Sequence, residues 1–248
     1  MKVTLLNATE NPEETICQAA RNDYMSEFVG DKDFKTIMET IDGDTIIEKK
    51  ETLISHLLQH GHFGPFEHVT ATFAVEGISR SCMAQITRHR HASFDIQSMR
   101  YVSFDDVEPK AGEAVIEIPE LGNAEIHGRN AEFSENIVED ESYIEERRED
   151  VYENAIKQSF DAYNELLELG VAPENARNIL PIGSKVNMVF TVNARMLMHI
   201  ADMRAAADAQ WEIREMTNDI LELAEEWCEI TFEHYNTEMK GRKNRLAP

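Results

Sequence analysis

The chain has 248 residues, 42% of them hydrophobic, and sets 47 Asp and Glu against 24 Lys and Arg, for a formal net charge of −23. That length and apolar content give a sizeable core and exclude disorder and any membrane class; no run approaches the roughly 20 apolar residues of a membrane helix. So acidic a surface repels nucleic acid. It resembles the surfaces of proteins from very salty cytoplasm, with a merely acidic mesophile protein as the alternative. Met1 to Leu6 is too short and too soon broken by Asn7 for a signal peptide. Cys17, Cys82 and Cys228 are scattered and odd in number. They point to a reducing cytoplasm rather than to a disulfide framework or a Cys-rich metal site.

Lys2 to Leu6 reads as a strand. A helix follows from Pro12 to about Tyr24, with Asn11 as its cap and Pro12 at the first helical position. Residues 25 to 44 carry no clear period. Asp44 is expected to cap a second helix, Thr45 to His60, which Gly61 ends. His60 to His68 is a Gly- and Pro-containing loop. Val69, Ala71, Phe73 and Val75 then alternate with polar residues at strand period. Ser79 to Thr87 returns to helix and delivers Arg88-His89-Arg90 at its C-terminal end. Residues 105 to 150 hold 16 acids and four basic residues and read as an acidic surface insertion whose function is solvation, leading into a long helix. Val151, Ala155, Ile156, Phe160, Tyr163 and Leu167 form the stripe of that helix, ended by Gly170. Pro173 opens a short helix through Leu180. Lys185 to Asn193 is a second buried strand, with Val186, Met188, Phe190 and Val192 on one face. A helix from Ala194 passes Arg195, His199 and Arg204. Ile213 to Ile230 repeats apolar residues three and four apart, a seam for an intrachain core or a subunit interface. The basic tail, Lys240 to Arg245, is expected to be mobile. No linker divides the chain, so residues 1–248 read as one α+β domain.

The segment Ser79 to Tyr101 stands apart in charge. It holds four arginines (Arg80, Arg88, Arg90, Arg100) and one acid, Asp95. Arginine forks bind phosphate and carboxylate in two-pronged fashion, so a phosphorylated ligand is one reading and salt bridges to the acidic surface another. Three chemistries compete nearby. His56, His60, His62 and His68 form a cluster that suits zinc, but without a His-Glu-x-x-His and with Glu67 as the only close carboxylate. Ser93 or Ser98 beside His89 or His91 suggests a hydrolase, but no Gly-x-Ser-x-Gly elbow is present. Anion binding with flavin chemistry is the third, although the absence of Gly-x-Gly-x-x-Gly argues against a Rossmann fold.

Arg88-His89-Arg90, seven residues and then Ser98 resembles the Arg-His-Arg-x7-Ser signature of the flavin-dependent thymidylate synthases. Arg100-Tyr101 extends the likeness, as do His60-Gly61-His62 before Pro65-Phe66-Glu67-His68, Ala176-Arg177, Thr191 to Arg195, and Met203-Arg204-Ala205 before Ala209 to Glu212. The blocks stand in the family's order across roughly residues 53 to 212. The resemblance implies a mixed, mainly antiparallel sheet flanked by long helices. It implies methylation of dUMP to dTMP with methylenetetrahydrofolate as carbon donor and NADPH, through FAD, as reductant. It also implies a homotetramer whose sites are shared between subunits.

By the same matching, Arg88, His89 and Arg90 bind flavin, and so do Asn193, Arg195 and His199. Gln85, Arg88, Ser98, Met99, Arg100 and Arg177 hold the nucleotide, some from a neighbouring subunit. Arg204 stabilises the ionised uracil ring, as a fixed cation beside a developing anion should. Two positions depart from the pattern. Many members carry a carboxylate two residues before the serine, where this chain has Ile96, and many have Ser or Thr where it has Gly64. Flavin contacts at Ile96 and Gly64 would therefore come from the main chain. A metal-dependent nucleotide hydrolase and a flavin-binding module without turnover remain the competing readings.

Overall fold

A computed structural model describes residues 1–102, 104, 107–119, 141–242 and 246–248. Four strands make one sheet in the order β1-β2-β4-β3: β1 Lys2–Ala8, β2 Thr70–Ser79, β3 Ala92–Ile96 and β4 Lys185–Asn193. β1 pairs with β2, and β3 with β4, in antiparallel register. The expected α+β class therefore stands. Alternation works as the sequence implies: Val186, Met188, Phe190 and Val192 of β4 are all buried. In β2 Ala71, Phe73 and Val75 alternate as buried residues, and Ile78 and Ser79 at its end are buried as well. Phe190 lies between Phe73 at 5.4 Å and Phe94 at 5.9 Å, a ring ladder crossing three strands. β3 has no counterpart in the sequence reading. Its residues are half-buried or exposed, and Ser93 and Asp95 face outward. An edge strand of that kind offers little apolar signal.

Nine α-helices occur among the described residues: α1 Pro12–Asn22, α2 Phe34–Ile37, α3 Ile46–His60, α4 Arg80–Ile86, α5 Glu141–Glu168, α6 Pro173–Ala176, α7 Ala194–Arg204, α8 Trp211–Trp227 and α9 Glu229–His234. Pro12 opens α1 as expected, but Asn11 sits at φ 48 and its side chain makes no capping bond. The cap of α3 is Thr45, not Asp44. Its hydroxyl accepts from Glu48 N at 3.2 Å, and the Glu48 carboxylate accepts from Thr45 N at 3.2 Å. This reciprocal capping box needs a residue three before the glutamate, which Thr45 is and Asp44 is not. Gly61, at φ 73, closes the helix. The seam from Ile213 to Ile230 is split: Cys228 leaves helical geometry, at φ −134 and ψ 68, and Ile230 belongs to α9. Trp227 Nε1 donates to Thr9 O at 3.0 Å, so this end of the seam packs within the chain.

The chain forms two compact units. One comprises residues 1–76, 82–96 and 187–248, with most of the sheet and α1, α3, α7, α8 and α9 around it. Its core includes Ile16, Ile54, Leu58, Ile200, Ile213 and Phe232. The other comprises residues 77–81 and 97–186. There α5 buries Ile156 and Phe160 against Ala114 and Val115, with Phe104 edge-on to Phe160 at 5.3 Å. Within the acidic 105–150 segment, residues 105, 106 and 120–140 lie outside the described residues, as do residues 243–245 of the basic tail. Lys240 donates to Asn218 at 2.8 Å and Arg242 pairs with Glu238 at 2.8 Å.

The ring ladder makes a direct test of the core. Phe190→Ala should lose about 3–5 kcal/mol of stability, as large-to-small changes at fully packed aromatic positions do. Denaturant midpoints would check this; a loss well below that range would mean that the sheet repacks without the central ring.

Candidate active site

β2 runs directly into α4, whose Cys82 and Ile86 are buried. After the helix the chain turns, and His89 N donates to Ile86 O at 3.1 Å. The turn leaves Arg88 and Arg90 exposed and places His89 inward at 5% exposure. His89 Nε2 accepts from Arg204 Nε at 3.0 Å, and Arg204 Nη2 donates to Gln85 O at 3.2 Å. His199 lies edge-on to His89 at 6.1 Å. Burial, then the Arg204 charge, then His199 and Arg88 push the His89 pKa down to about 4. The imidazole is therefore neutral at physiological pH, with Nε2 free of a proton and able to accept. Burial and the Arg88 charge also lower the pKa of Arg204, but a guanidinium stays charged regardless. Nη1 is the one Arg204 nitrogen without a hydrogen bond among the described residues.

β4 likewise runs directly into α7. Asn193 caps it, its side chain accepting from Met196 N at 2.8 Å, while Ala194 N donates to Val69 O at 3.0 Å. Arg195 in the first turn pairs with Glu67 at 2.5 Å and lies over the Phe63 ring at 5.9 Å. His199 follows one turn on, so it shares the face of Arg195. Asn193, Arg195 and His199 line a cleft of about 340 Å³ together with Glu67, His91, Met196 and Pro248. A capped helix N-terminus, a guanidinium and two imidazoles suit a ligand with an anionic part. Glu67, a carboxylate, already stands where such an anion would meet Arg195.

Other sequence-marked residues fall elsewhere. Gly64 borders a second cavity of about 640 Å³ that also takes in Gln18, Asn22 and Glu67. No atom lies within 4 Å of where a Gly64 Cβ would stand, so sterics do not require glycine there. Ile96 ends β3 opposite Met188. In the other unit Ser98 Oγ accepts from Arg100 N at 3.3 Å. Met99 is buried, its sulfur accepting from Arg80 Nη1 at 3.1 Å. Arg100 pairs with the Glu174 carboxylate at 2.7 Å, and Arg177 Nε donates to the Glu174 carbonyl at 3.2 Å. Glu174 thus holds both arginines.

Sequence reasoning gave Glu67, His91, Met196 and Pro248 no place in the cleft. Glu67, His91 and Met196 carried some signal, since each stands in or beside a motif block, and Pro248 carried none. The His56, His60 and His62 rings stack, with His56 and His60 4.1 Å apart. No group of three or more metal-ligating side chains is gathered among the described residues. Burial pushes the Cys82 thiol pKa well up, and Glu212 adds to this, so Cys82 is no activated nucleophile.

His89 sets a pH window. Below about 6.5 the unfolded chain takes up a proton that the folded chain refuses until about 4. Stability contributed by a neutral His89 is therefore whole above that window and declines as pH falls through it, by at most about 1.4 kcal/mol per pH unit. Urea midpoints across that range should fall less steeply for His89→Asn than for the wild type. Parallel declines would show that another group takes the proton.

Residues 4–230 match the family described as thymidylate synthase complementing protein. The flavin-dependent thymidylate synthase of Haloarcula marismortui is 62% identical over 251 residues, covering 100% of both chains. That of Halobacterium salinarum is 58% identical with the same coverage. That of Pyrococcus furiosus is 34% identical over 222 residues, 90% of this chain and 78% of its own. Among solved structures, the UMP/dUMP methylase PolB from Streptomyces cacaoi, bound with 5-Br dUMP, shares the fold at a TM-score of 0.74 and 24% identity, over 100% of this chain and 97% of that one. With matches of this extent, the chain belongs to the family of flavin-dependent thymidylate synthases.

Proposed function

We propose that the chain methylates dUMP to dTMP, with FAD as cofactor, NADPH as reductant and methylenetetrahydrofolate as carbon donor. The observation that carries this reading is the Arg204 guanidinium, clamped by His89 and the Gln85 carbonyl with Nη1 left over. A cation fixed in advance stabilises negative charge developing on a uracil ring without reorganising during the reaction. His89 holds it by accepting at Nε2, and being neutral it does not add a second positive charge that would repel Arg204.

The cleft beside Arg195 suits FAD by the chemistry of its donors: Asn193, Arg195, His199 and His91 offer hydrogen bonds and positive charge. When bound, the flavin supplies the reducing equivalents drawn from NADPH. Arg195 and the first turn of α7 would hold its anionic part, with Arg88 and Arg90 beside it and main-chain contacts at Gly64 and Ile96. Ser98, Met99, Arg100 and Arg177 would hold the nucleotide. The homotetramer implied by family membership completes the sites from neighbouring subunits, and residues 1–248 act as one domain in the cytoplasm, without nucleic acid or membrane. No helix among the described residues is long and apolar enough to cross a membrane. The net charge of −23 and the relatives from Haloarcula and Halobacterium support work in high salt.

Purified protein should show flavin absorption bands that shift when dUMP is added. A protein that binds no FAD in either low or high salt would contradict the reading. Arg204→Ala should keep flavin and lower turnover by about 100- to 1000-fold, the cost of removing one preorganised charge-stabilising donor. Full activity in that variant would rule out the role given to Arg204.

A further inference from the structure

The segment Leu246 to Pro248 runs from the end of α3 to the cleft beside Arg195. The Leu246 side chain lies on Gly61: a Cβ at Gly61 would stand 2.6 Å from Leu246 Cδ1 and 3.3 Å from its Cβ. Gly61 ends α3 at φ 73, a conformation that favours glycine. One glycine therefore both terminates the helix and opens the seat for Leu246. Two residues on, Pro248 lines the cleft of about 340 Å³ beside Asn193, Arg195 and His199.

We propose that Leu246–Pro248 is a strap forming one wall of the flavin cleft, with Pro248 touching the cofactor and Leu246 positioning it from its seat on Gly61. The proposal rests on the flavin reading of that cleft. Proline suits such a wall. Its ring is rigid, so little freedom is lost on binding, and it has no N–H to compete with Arg195 or the histidines for the ligand's acceptors. With Met196 it gives an apolar surface to a cleft otherwise lined with charged and polar groups, as a planar heteroaromatic ring with an anionic tail requires. Leu246 stays 55% exposed. The seat is therefore shallow, and the strap lifts for the cofactor to enter and settles to retain it.

The test is release of bound FAD from the full chain, followed by the return of flavin fluorescence on dilution at one fixed salt concentration. Leu246→Ala should release FAD about tenfold faster than the wild type, the effect of losing a partly buried leucine side chain. Leu246→Met, which refills the seat, should release it at nearly the wild-type rate. The melting temperature of the flavin-free protein should be the same in all three. An unchanged release rate in Leu246→Ala overturns the strap while leaving the flavin site intact. Slower release, with tighter binding, overturns it too, because the segment would then be a plug. A matching fall in the melting temperature of the flavin-free variant would assign the effect to folding and also overturn it. A wild type that takes up no FAD overturns the reading of the cleft, and the strap with it.

Discussion

Arg204 Nε donates to His89 Nε2 at 3.0 Å, and that bond exists only while His89 is neutral. The environment enforces the neutrality. His89 is buried and meets the positive charges of Arg204 and Arg88. Protonation would remove the acceptor and set two cations against each other at hydrogen-bond distance. The clamp on Arg204 is thus a consequence of where α4 ends: one residue of an Arg-His-Arg run is turned into the core and its neighbours are turned out. An isolated cation in this place would be costly to hold, and a neutral acceptor together with the Gln85 carbonyl satisfies two of its three nitrogens.

In the proposed function, α7 spreads the chemistry along one rigid element. Asn193 fixes its start, Arg195 stands in the first turn and Arg204 at the last residue, about 14 Å apart along the axis at the helical rise. His199 lies between them. A ligand pair with an anionic part at one end and an ionising ring at the other is matched by cations at those two places. β4 enters α7 without a loop, as β2 enters α4. The spacing of these groups is therefore set by packed sheet and helix rather than by flexible connections. Glu67 is the local counter-charge for Arg195, and its carboxylate must yield to any anion that binds there.

What could be read from the sequence follows physical signals of uneven strength. β2 and β4 were legible because one face of each is buried, which writes a clean alternation. β3 was not: at the sheet edge, with Ser93 and Asp95 outward, it carries almost no alternation. Both Asp44 and Thr45 are good caps by type, and only the reciprocal geometry with Glu48 selects Thr45. The arginines of the site stood out by charge in an acidic chain and by their order in the motif. The inward turn of His89 did not, since three adjacent polar residues have no period. The Glu67–Arg195 pair joins residues 128 apart, and the seat of Leu246 on Gly61 joins the two ends of a longer span still. Contacts between residues so distant leave no local trace in composition or spacing.

The protonation state of His89 is the point on which the account of Arg204 turns. It can be read from the ring-nitrogen resonances of histidine-labelled protein, with His89 assigned by its substitution. At pH 6 the account predicts a neutral ring with Nε2 unprotonated and bonded to the Arg204 Nε–H. An imidazolium signal at that pH, or a neutral ring protonated on Nε2, would contradict it.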